Sequence, residues 1–112
     1  MISMAISIQA EDFDVGAEYR ALVEGDTSAG AVVTFVGRVR DLNLGRGVLG
    51  LHLEHYPGMT EKSLQEILAE AQSRWDIVRC RIIHRVGDLH LGDNIVFVGV
   101  TSTHRELSLI HI

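Results

Sequence analysis

The sequence is poor in lysine, cysteine and aromatic residues, and it has no long apolar run. With Cys80 as the only cysteine, no disulfide can form within the chain, as is usual in a reducing compartment. No stretch reaches the apolar length that a bilayer-spanning helix needs, and the first residues lack the basic region and cleavage pattern of a signal peptide. These absences predict a cytoplasmic protein that does not interact with a membrane.

Acidic residues outnumber basic ones by 15 to 10, which gives a formal net charge of −5. Nucleic-acid-binding proteins usually carry a basic surplus, so this balance argues against a nucleic-acid partner. Lys62 is the only lysine, and the other basic residues are arginines. Local basic patches can bind small anions even on an acidic protein. Two groups of arginines stand close together in the sequence: Arg38, Arg40 and Arg46, and Arg79, Arg81 and Arg85.

The length of 112 residues and the hydrophobic content of 46% fit one soluble domain that spans residues 1–112. Alternating apolar residues and β-branched runs predict strands, and two segments have helical periodicity. The predicted order of elements is β-α-β-β-α-β-β. Because several successive strands are neighbours in the chain, we expect an α+β domain with two main helices on a largely antiparallel sheet.

Local signals place these elements along the chain. Asp14 is expected to cap the first helix, and Gly37 predicts a bulge or a close backbone approach in the second strand. The longest helix is predicted from Thr60 to Trp75. A turn around Gly87-Asp88 and Gly92-Asp93 is expected to join the last two strands. The predicted core stripe of the longest helix consists of Leu64, Ile67, Leu68 and Ala71.

The first candidate site is the pair Arg38 and Arg40 at the end of the predicted strand 30–40. Residues two apart in a strand point to the same face, and two guanidinium groups beside a glycine-bearing loop can bind a phosphate bidentately. The alternative is a solvated strand face with weak surface ion pairs. These residues alone do not decide between the two interpretations.

The second candidate site is the segment 101–105, Thr-Ser-Thr-His-Arg, which follows an apolar strand. Hydroxyl side chains there could cap a helix, whose N-terminus favours anions. His104 could donate or accept a proton near neutral pH, and Arg105 could bind a phosphate. The alternative is a capped helix start with a histidine and an arginine on the surface.

Metal and thiol chemistry have little support in the sequence. The six histidines form no HExxH motif, and His52 and His55 are expected on opposite faces of a strand, so we expect no metal site and no cofactor. Cys80 alternates with apolar residues and is expected in the core as a small hydrophobic residue. The Gly-Arg-Gly at 45–47 is too short for a phosphate-binding loop.

Four segments resemble the large, catalytic subunit of molybdopterin synthase, the MoaE family: FDVGAEY, GAVVTFVGRVRDLNLG, LEHYPGMTEKSL and IIHRVGDLHLGDNIVFVGVTSTHR. The resemblance covers about Phe13 to Arg105. It implies an α/β hammerhead-like fold, a homodimer of large subunits, and a heterotetramer with a small ubiquitin-like subunit. That subunit's thiocarboxylated C-terminus would supply sulfur to cyclic pyranopterin monophosphate, which becomes the dithiolene of molybdopterin.

The resemblance also implies roles for individual residues. Arg40, His104 and Arg105 fall on positions of the family's site, the arginines as ligands of the substrate and His104 as a catalytic residue. Phe35 matches an aromatic residue that lines the pocket. Arg38 stands where the family often has lysine, which keeps the charge but changes the hydrogen-bonding geometry.

The sequence departs from the family after about residue 105, where the chain ends in ELSLIHI. The family continues there into a segment with two lysines that are its main catalytic candidates, and Lys62 aligns elsewhere. We therefore expect impaired sulfur transfer in this chain. One alternative is a module that only binds a partner or an anion; another is that the tail is a frame artefact of a full-length enzyme.

Overall fold

The computed structural model describes residues 3–40, 50–54, 58–74 and 76–103. Six strands and two helices lie within these residues. In chain order they are β1 (Ser3–Gln9), α1 (Val15–Val23), β2 (Ala31–Arg38), β3 (Gly50–Leu53), α2 (Met59–Arg74), β4 (Ile77–Arg85), β5 (Gly87–His90) and β6 (Asn94–Ser102). Neither described helix has the length and apolarity required to cross a bilayer.

The main sheet has the strand order β1-β4-β6-β2, and β3 pairs with β5 in a second, two-stranded sheet. β1 and β4 run parallel, whereas the pairs β4–β6, β2–β6 and β3–β5 are antiparallel. This arrangement confirms the predicted α+β fold with two helices and a largely antiparallel sheet.

The predicted turn between the last two long strands was wrong in part, because it contains the short strand β5. β5 has one buried apolar residue, Leu89, which is paired with Leu51 of β3. A four-residue strand with one apolar position carries almost no alternation, so its pairing depends on a distant segment that the local sequence does not reveal.

Helix α1 begins where the sequence predicts. The carboxylate of Asp14 accepts a hydrogen bond from the backbone N–H of Ala17 at 3.1 Å, which satisfies one of the free donors of the first turn. Leu22 is buried on the side that faces β4 and β6, whereas Tyr19 is 44% exposed. The helix therefore covers one face of the sheet with a narrow apolar stripe.

Helix α2 lies on the opposite face. Leu68 is buried together with Cys80 and Ile82 of β4, and Leu64 and Ala71 pack against the same cluster. The predicted stripe was wrong for Ile67, which is 62% exposed. At about 100° per residue, Ile67 lies at the edge of the stripe, about 40° beyond Ala71 and about 100° from Leu68, outside the narrow contact with the sheet. Trp75, the predicted end of this helix, lies outside the described residues.

Candidate functional site at the end of strand β2

The end of β2 carries the first group of predicted site residues. The register with β6 shifts between Gly37 and Arg38, and a Cβ atom on Gly37 would lie only 2.8 Å from Cγ1 of Val96. The register shift confirms the predicted bulge, whereas the close contact at Gly37 is with the side chain of Val96 and not with another backbone. The pairing skips Ile95 of β6 at this point, just before the strand end that carries Arg38 and Arg40.

Val39 holds the segment that follows β2 in place. Its side chain is 4% exposed, its N–H donates to the carbonyl of Asp93 at 2.8 Å, and its carbonyl accepts from the N–H of Gly92 at 2.8 Å. Arg38 and Arg40 on either side of it are exposed. The burial alternates as in a strand, which agrees with the predicted common face of the two arginines.

The two arginines have different surroundings. The guanidinium of Arg38 donates to the carbonyl of Gly92, from Nη2 at 3.0 Å and from Nε at 3.3 Å. Arg40 has no hydrogen-bonding or ion-pair partner among the residues that the structure describes. Of the two candidates, Arg40 is therefore the one whose guanidinium is not engaged by any residue that the structure describes.

Phe35 is 56% exposed and lies on the other face of β2. It pairs with Val98, which packs against the core cluster beneath α2, and one edge of its ring lies 3.5 Å from the Cβ position of Gly37. Strand alternation puts Arg38 on the opposite face. Within the described residues, the structure thus brings Arg38 and Arg40 together but separates Phe35 from Arg38.

The second group of arginines does not form an open anion site, because each member is bound to the chain that crosses it. Arg79 Nη1 donates to the carbonyls of Leu22 and Glu24 at 3.0 and 2.8 Å. Arg81 Nε donates to a carboxylate oxygen of Glu18 at 3.0 Å. These hydrogen bonds connect α1 to β4. A cavity of about 320 Å³ between the two elements is lined in part by Arg79, Arg81 and Glu18, which are already paired.

Arg85, the third member of this group, is the most enclosed. Its side chain is 11% exposed, and it donates to the carbonyl of Ala10 at 3.1 and 3.0 Å and to that of Asn94 at 3.0 Å. It joins the end of β4 to the segment before α1 and to the start of β6. Arg46 of the other group lies outside the described residues.

Asp26 complements this group at the end of α1. Its carboxylate lies 3.9 Å from Nε of Arg79. Hydrogen bonds from the hydroxyl and the N–H of Ser28, at 2.6 and 2.8 Å, hold the pKa of Asp26 below its ordinary value, and the positive charge of Arg79 acts in the same direction. Asp26 is thus an ionised partner of the arginine group.

The second candidate segment is described only in part. Thr101 and Ser102 belong to β6 and are buried, so they do not act as the predicted helix cap. The hydroxyl of Thr101 accepts a hydrogen bond from the N–H of Arg79 at 3.0 Å. This bond lies where the register between β4 and β6 shifts, and it gives the N–H of Arg79 an acceptor there. Thr103 donates to Asp76 at 2.7 Å. His104 and Arg105, and with them the tail 106–112, lie outside the described residues.

Cys80 is 3% exposed, and burial raises the pKa of its thiol to about 11. The prediction of a core position is confirmed. His52 contacts Asp88 at 2.7 Å, and His55 lies outside the described residues. In the part of the chain that the structure describes, no three histidine, cysteine or carboxylate side chains are placed to hold a metal ion.

The contacts of Gly92 and Asp93 with the site were not predicted from the sequence. The pair was interpreted as a turn, and it does have a turn's geometry, with Gly92 at a φ of +87°. These residues are far from the segment 38–40 in the sequence: Gly92 lies 54 positions after Arg38. The Gly-Asp pair in the sequence indicates a turn, but the neighbouring residues do not indicate that this turn contacts Arg38 and Val39.

Known proteins match the sequence and the described fold. The model of the MoaE protein family matches residues 8–110. The chain belongs to the MoaE family. The molybdopterin synthase catalytic subunit of Vibrio cholerae is 65% identical to it over 101 residues, which cover 90% of this chain and 67% of that protein. The same relationship extends to Escherichia coli, whose molybdopterin synthase catalytic subunit is 56% identical over 95% of this chain and 70% of that protein.

Solved structures of the MoaE family have the same fold. The MoaE protein of Burkholderia ambifaria superposes with a TM-score of 0.80 at 48% identity, over 95% of this chain and 67% of that one. A complex of subunits 1 and 2 of the molybdopterin-converting factor from Helicobacter pylori matches with a TM-score of 0.71 over 95% of this chain and 69% of that chain, and at 21% identity it supports the fold alone.

Proposed function

We propose that this MoaE-family chain is the catalytic subunit of a molybdopterin synthase. In this proposal, sulfur passes from the thiocarboxylated C-terminus of a small ubiquitin-like subunit to cyclic pyranopterin monophosphate, and two such transfers form the dithiolene of molybdopterin. The observation that carries the proposal is the exposed guanidinium of Arg40, on a backbone held by Val39, in a chain of the MoaE family.

Arg40 is proposed as a ligand of the substrate's cyclic phosphate. A guanidinium keeps its charge at all physiological pH values and presents paired N–H donors that match phosphate oxygens. The backbone that carries it is fixed by two hydrogen bonds of Val39, so little order has to be gained when the anion binds. Exposure on the unbound protein is what such a ligand requires.

His104 and Arg105 complete the proposed site. Arg105 would supply a second cation for the phosphate, and His104 would donate or accept a proton during sulfur transfer. These two roles rest on the family resemblance of the segment that contains them. Phe35 is proposed to line the pocket that receives the partner's C-terminal tail, since an exposed aromatic ring offers a large apolar contact at low entropic cost.

A small subunit is the proposed macromolecular partner, together with a second copy of this chain. The first of these is supported by similar proteins that are named catalytic subunits of molybdopterin synthase, and are therefore parts of an enzyme with more than one kind of subunit. Cys80 has no part in the transfer, because the sulfur comes from the partner and the thiol is buried.

Reconstitution tests the proposal directly. The chain would be mixed with a thiocarboxylated small subunit and cyclic pyranopterin monophosphate, and molybdopterin formation would be followed. We expect turnover at a reduced rate, because the segment with the family's two lysines does not align with this chain. We expect Arg40→Ala to raise KM for the pterin about 10- to 100-fold, since a charge-assisted hydrogen bond contributes about 1.5–3 kcal/mol. Arg20→Ala is the matched control, because Arg20 is also exposed but lies on α1.

The outcomes separate the alternatives. An unchanged KM in Arg40→Ala would contradict the role of this arginine. Calorimetric binding of the small subunit without any turnover by the unmodified chain would instead favour the hypothesis of a module that binds its partner and performs no chemistry. If the small subunit does not bind, both hypotheses fail.

A further inference from the structure

The turn between β5 and β6 contacts the segment that carries Arg40 through several hydrogen bonds. We call the turn residues 90–93 together with the segment 38–40 the turn clamp. Val39 exchanges backbone hydrogen bonds with Gly92 and Asp93, both at 2.8 Å. Arg38 adds two hydrogen bonds from its side chain to the carbonyl of Gly92. The contact therefore uses the backbone and one charged side chain of the strand end.

The turn itself is closed by Asp93. Its N–H donates to the carbonyl of His90 at 3.0 Å, and its carboxylate accepts from the N–H of His90 at 2.8 Å. These bonds hold the Gly92 peptide in a fixed orientation. Both polar groups of Gly92 point at the strand end: the N–H bonds to Val39 and the carbonyl to Arg38.

Gly92 is required at this position for two reasons. Its φ of +87° lies in the region that side chains rarely adopt, and a Cβ atom would lie 3.3 Å from Nη2 of Arg38. The backbone comes this close because the guanidinium lies against it. A side chain on residue 92 would require the Arg38 guanidinium to move by a few tenths of an ångström, which would strain its hydrogen bonds to the Gly92 carbonyl.

We propose that the turn clamp positions Arg40, and that Arg38 acts through it as a positioning residue. This inference rests on the proposed function, in which Arg40 binds the substrate's phosphate. The Nε–Nη2 edge of Arg38, one of the edges with which a guanidinium binds phosphate bidentately, is engaged by Gly92. Arg38 thereby fixes the chain direction from which Arg40 projects, and the turn residues become determinants of the affinity for the anion.

A double-mutant cycle on KM for cyclic pyranopterin monophosphate, in the complex with the small subunit, separates positioning from direct binding. Arg38→Ala is expected to raise KM about fivefold. A change of this size corresponds to the loss of one hydrogen bond that positions Arg40. In the Arg40→Ala background, the same substitution is expected to change KM less than twofold. The value of kcat and the Kd for the small subunit should stay within twofold of the unmodified chain.

Each result of the cycle is decisive. Additive effects of the two substitutions would show that Arg38 contacts the substrate itself and would overturn the positioning role. If Arg40→Ala alone leaves KM unchanged, the proposed function of Arg40 fails, whatever Arg38 does. If Arg40→Ala raises KM and Arg38→Ala does not, only the turn clamp fails.

Glycine substitutions test the turn without changing any charge. Gly92→Ala is expected to raise KM about threefold, whereas Gly87→Ala should leave it unchanged. Gly87 is a matched control, because its φ of +90° imposes the same backbone strain while its Cβ position has no neighbour within 4 Å. Equal KM values for the two variants would contradict the clamp.

The carboxylate of Asp93 provides a test by conservative replacement. Asp93→Ala removes the acceptor for the N–H of His90 and should raise KM about threefold, because the turn loses one hydrogen bond. Asp93→Asn keeps an oxygen acceptor at the same position and should restore most of the affinity. A KM in Asp93→Asn that is as high as in Asp93→Ala would overturn the positioning role of the turn.

Discussion

Two groups of arginines follow the same alternating spacing but meet different surroundings. Arg79, Arg81 and Arg85 lie on β4, an inner strand of the main sheet, and α1 and the segment before it cross them. Arg38 and Arg40 lie at the end of β2, which is an outer strand in the order of the described sheet. The first group binds mainly backbone carbonyls, whereas Arg40 remains exposed.

The difference shows what decides the role of a surface cation. Spacing determines which arginines share a face of a strand, but the element packed on that face determines whether their donors are used. Where α1 ends on β4, Arg79 satisfies two carbonyls of the helix end that have no partner within the helix, and its charge interacts favourably with the helix dipole. Where a strand ends without such a cover among the described residues, the guanidinium stays available for a ligand.

The largest expected effect is on the free energy of unfolding, and it distinguishes Arg85 from Arg40. Arg85→Ala should lower the free energy of unfolding by about 2–3 kcal/mol, because the carbonyls of Ala10 and Asn94 lose their donors. Arg40→Ala should change it by less than about 0.5 kcal/mol, because the residue is exposed. Urea unfolding measures the free energy of unfolding of both variants. The KM for the pterin should rise more in Arg40→Ala than in Arg85→Ala.

A lysine at position 85 is the control for this comparison. Arg85→Lys keeps the charge but has no planar fork with which to reach both carbonyls, so it should recover only part of the lost stability. The contrast between the two arginine groups would break down if Arg85→Ala raised KM as much as Arg40→Ala in samples that are fully folded.

The sequence predicted features that depend on near neighbours. Asp14 was correctly assigned as a helix cap because the group it binds is three residues away. Gly37 and Cys80 were also correctly assigned, since a glycine within a β-branched run and an apolar alternation are local patterns. The α+β fold, with two helices on a largely antiparallel sheet, was predicted from the order of the predicted strands and helices along the chain.

Features that depend on tertiary neighbours were not predictable in this way. The structural role of Arg79 requires knowledge of where α1 ends over the sheet, which the alternation of β4 does not contain. The strand β5 and the exposure of Ile67 likewise depend on which surfaces meet. The partners of Arg38 were missed for the same reason, because Gly92 lies in a distant turn.

A smaller effect is expected for Phe35, which extends the comparison to the other face of β2. Phe35→Ala should weaken binding of the small subunit about tenfold, as is typical for the loss of an aromatic contact in an interface. Its effect on the free energy of unfolding should be below about 1 kcal/mol, because the ring is 56% exposed. Calorimetry with the small subunit and urea unfolding provide the two measurements.

Ile67→Ala on α2 is the matched control for Phe35. Ile67 is 62% exposed, so the substitution also removes an apolar side chain from the surface, but on an element away from the outer strand. Equal affinities of the two variants for the small subunit would show that Phe35 makes no specific contact with the partner.

The smallest expected effect concerns Cys80, which lies between two of the paired arginines but faces α2. Its thiol has a pKa of about 11 in the folded chain, compared with an ordinary value of 9.0. As the pH rises, the unfolded chain therefore loses this proton first. The contribution of the neutral thiol to stability is complete below pH 9 and is lost as the pH rises towards 11.

Urea unfolding at pH 8 and pH 10 measures this loss. The free energy of unfolding of the unmodified chain should fall by about 1 kcal/mol more than that of Cys80→Ala between these pH values, since other groups titrate equally in both. Cys80→Ala should also retain sulfur transfer at pH 8 in the reconstituted complex. Loss of turnover in a folded Cys80→Ala variant would place the thiol in the chemistry and would contradict the assignment of this strand to a purely structural role.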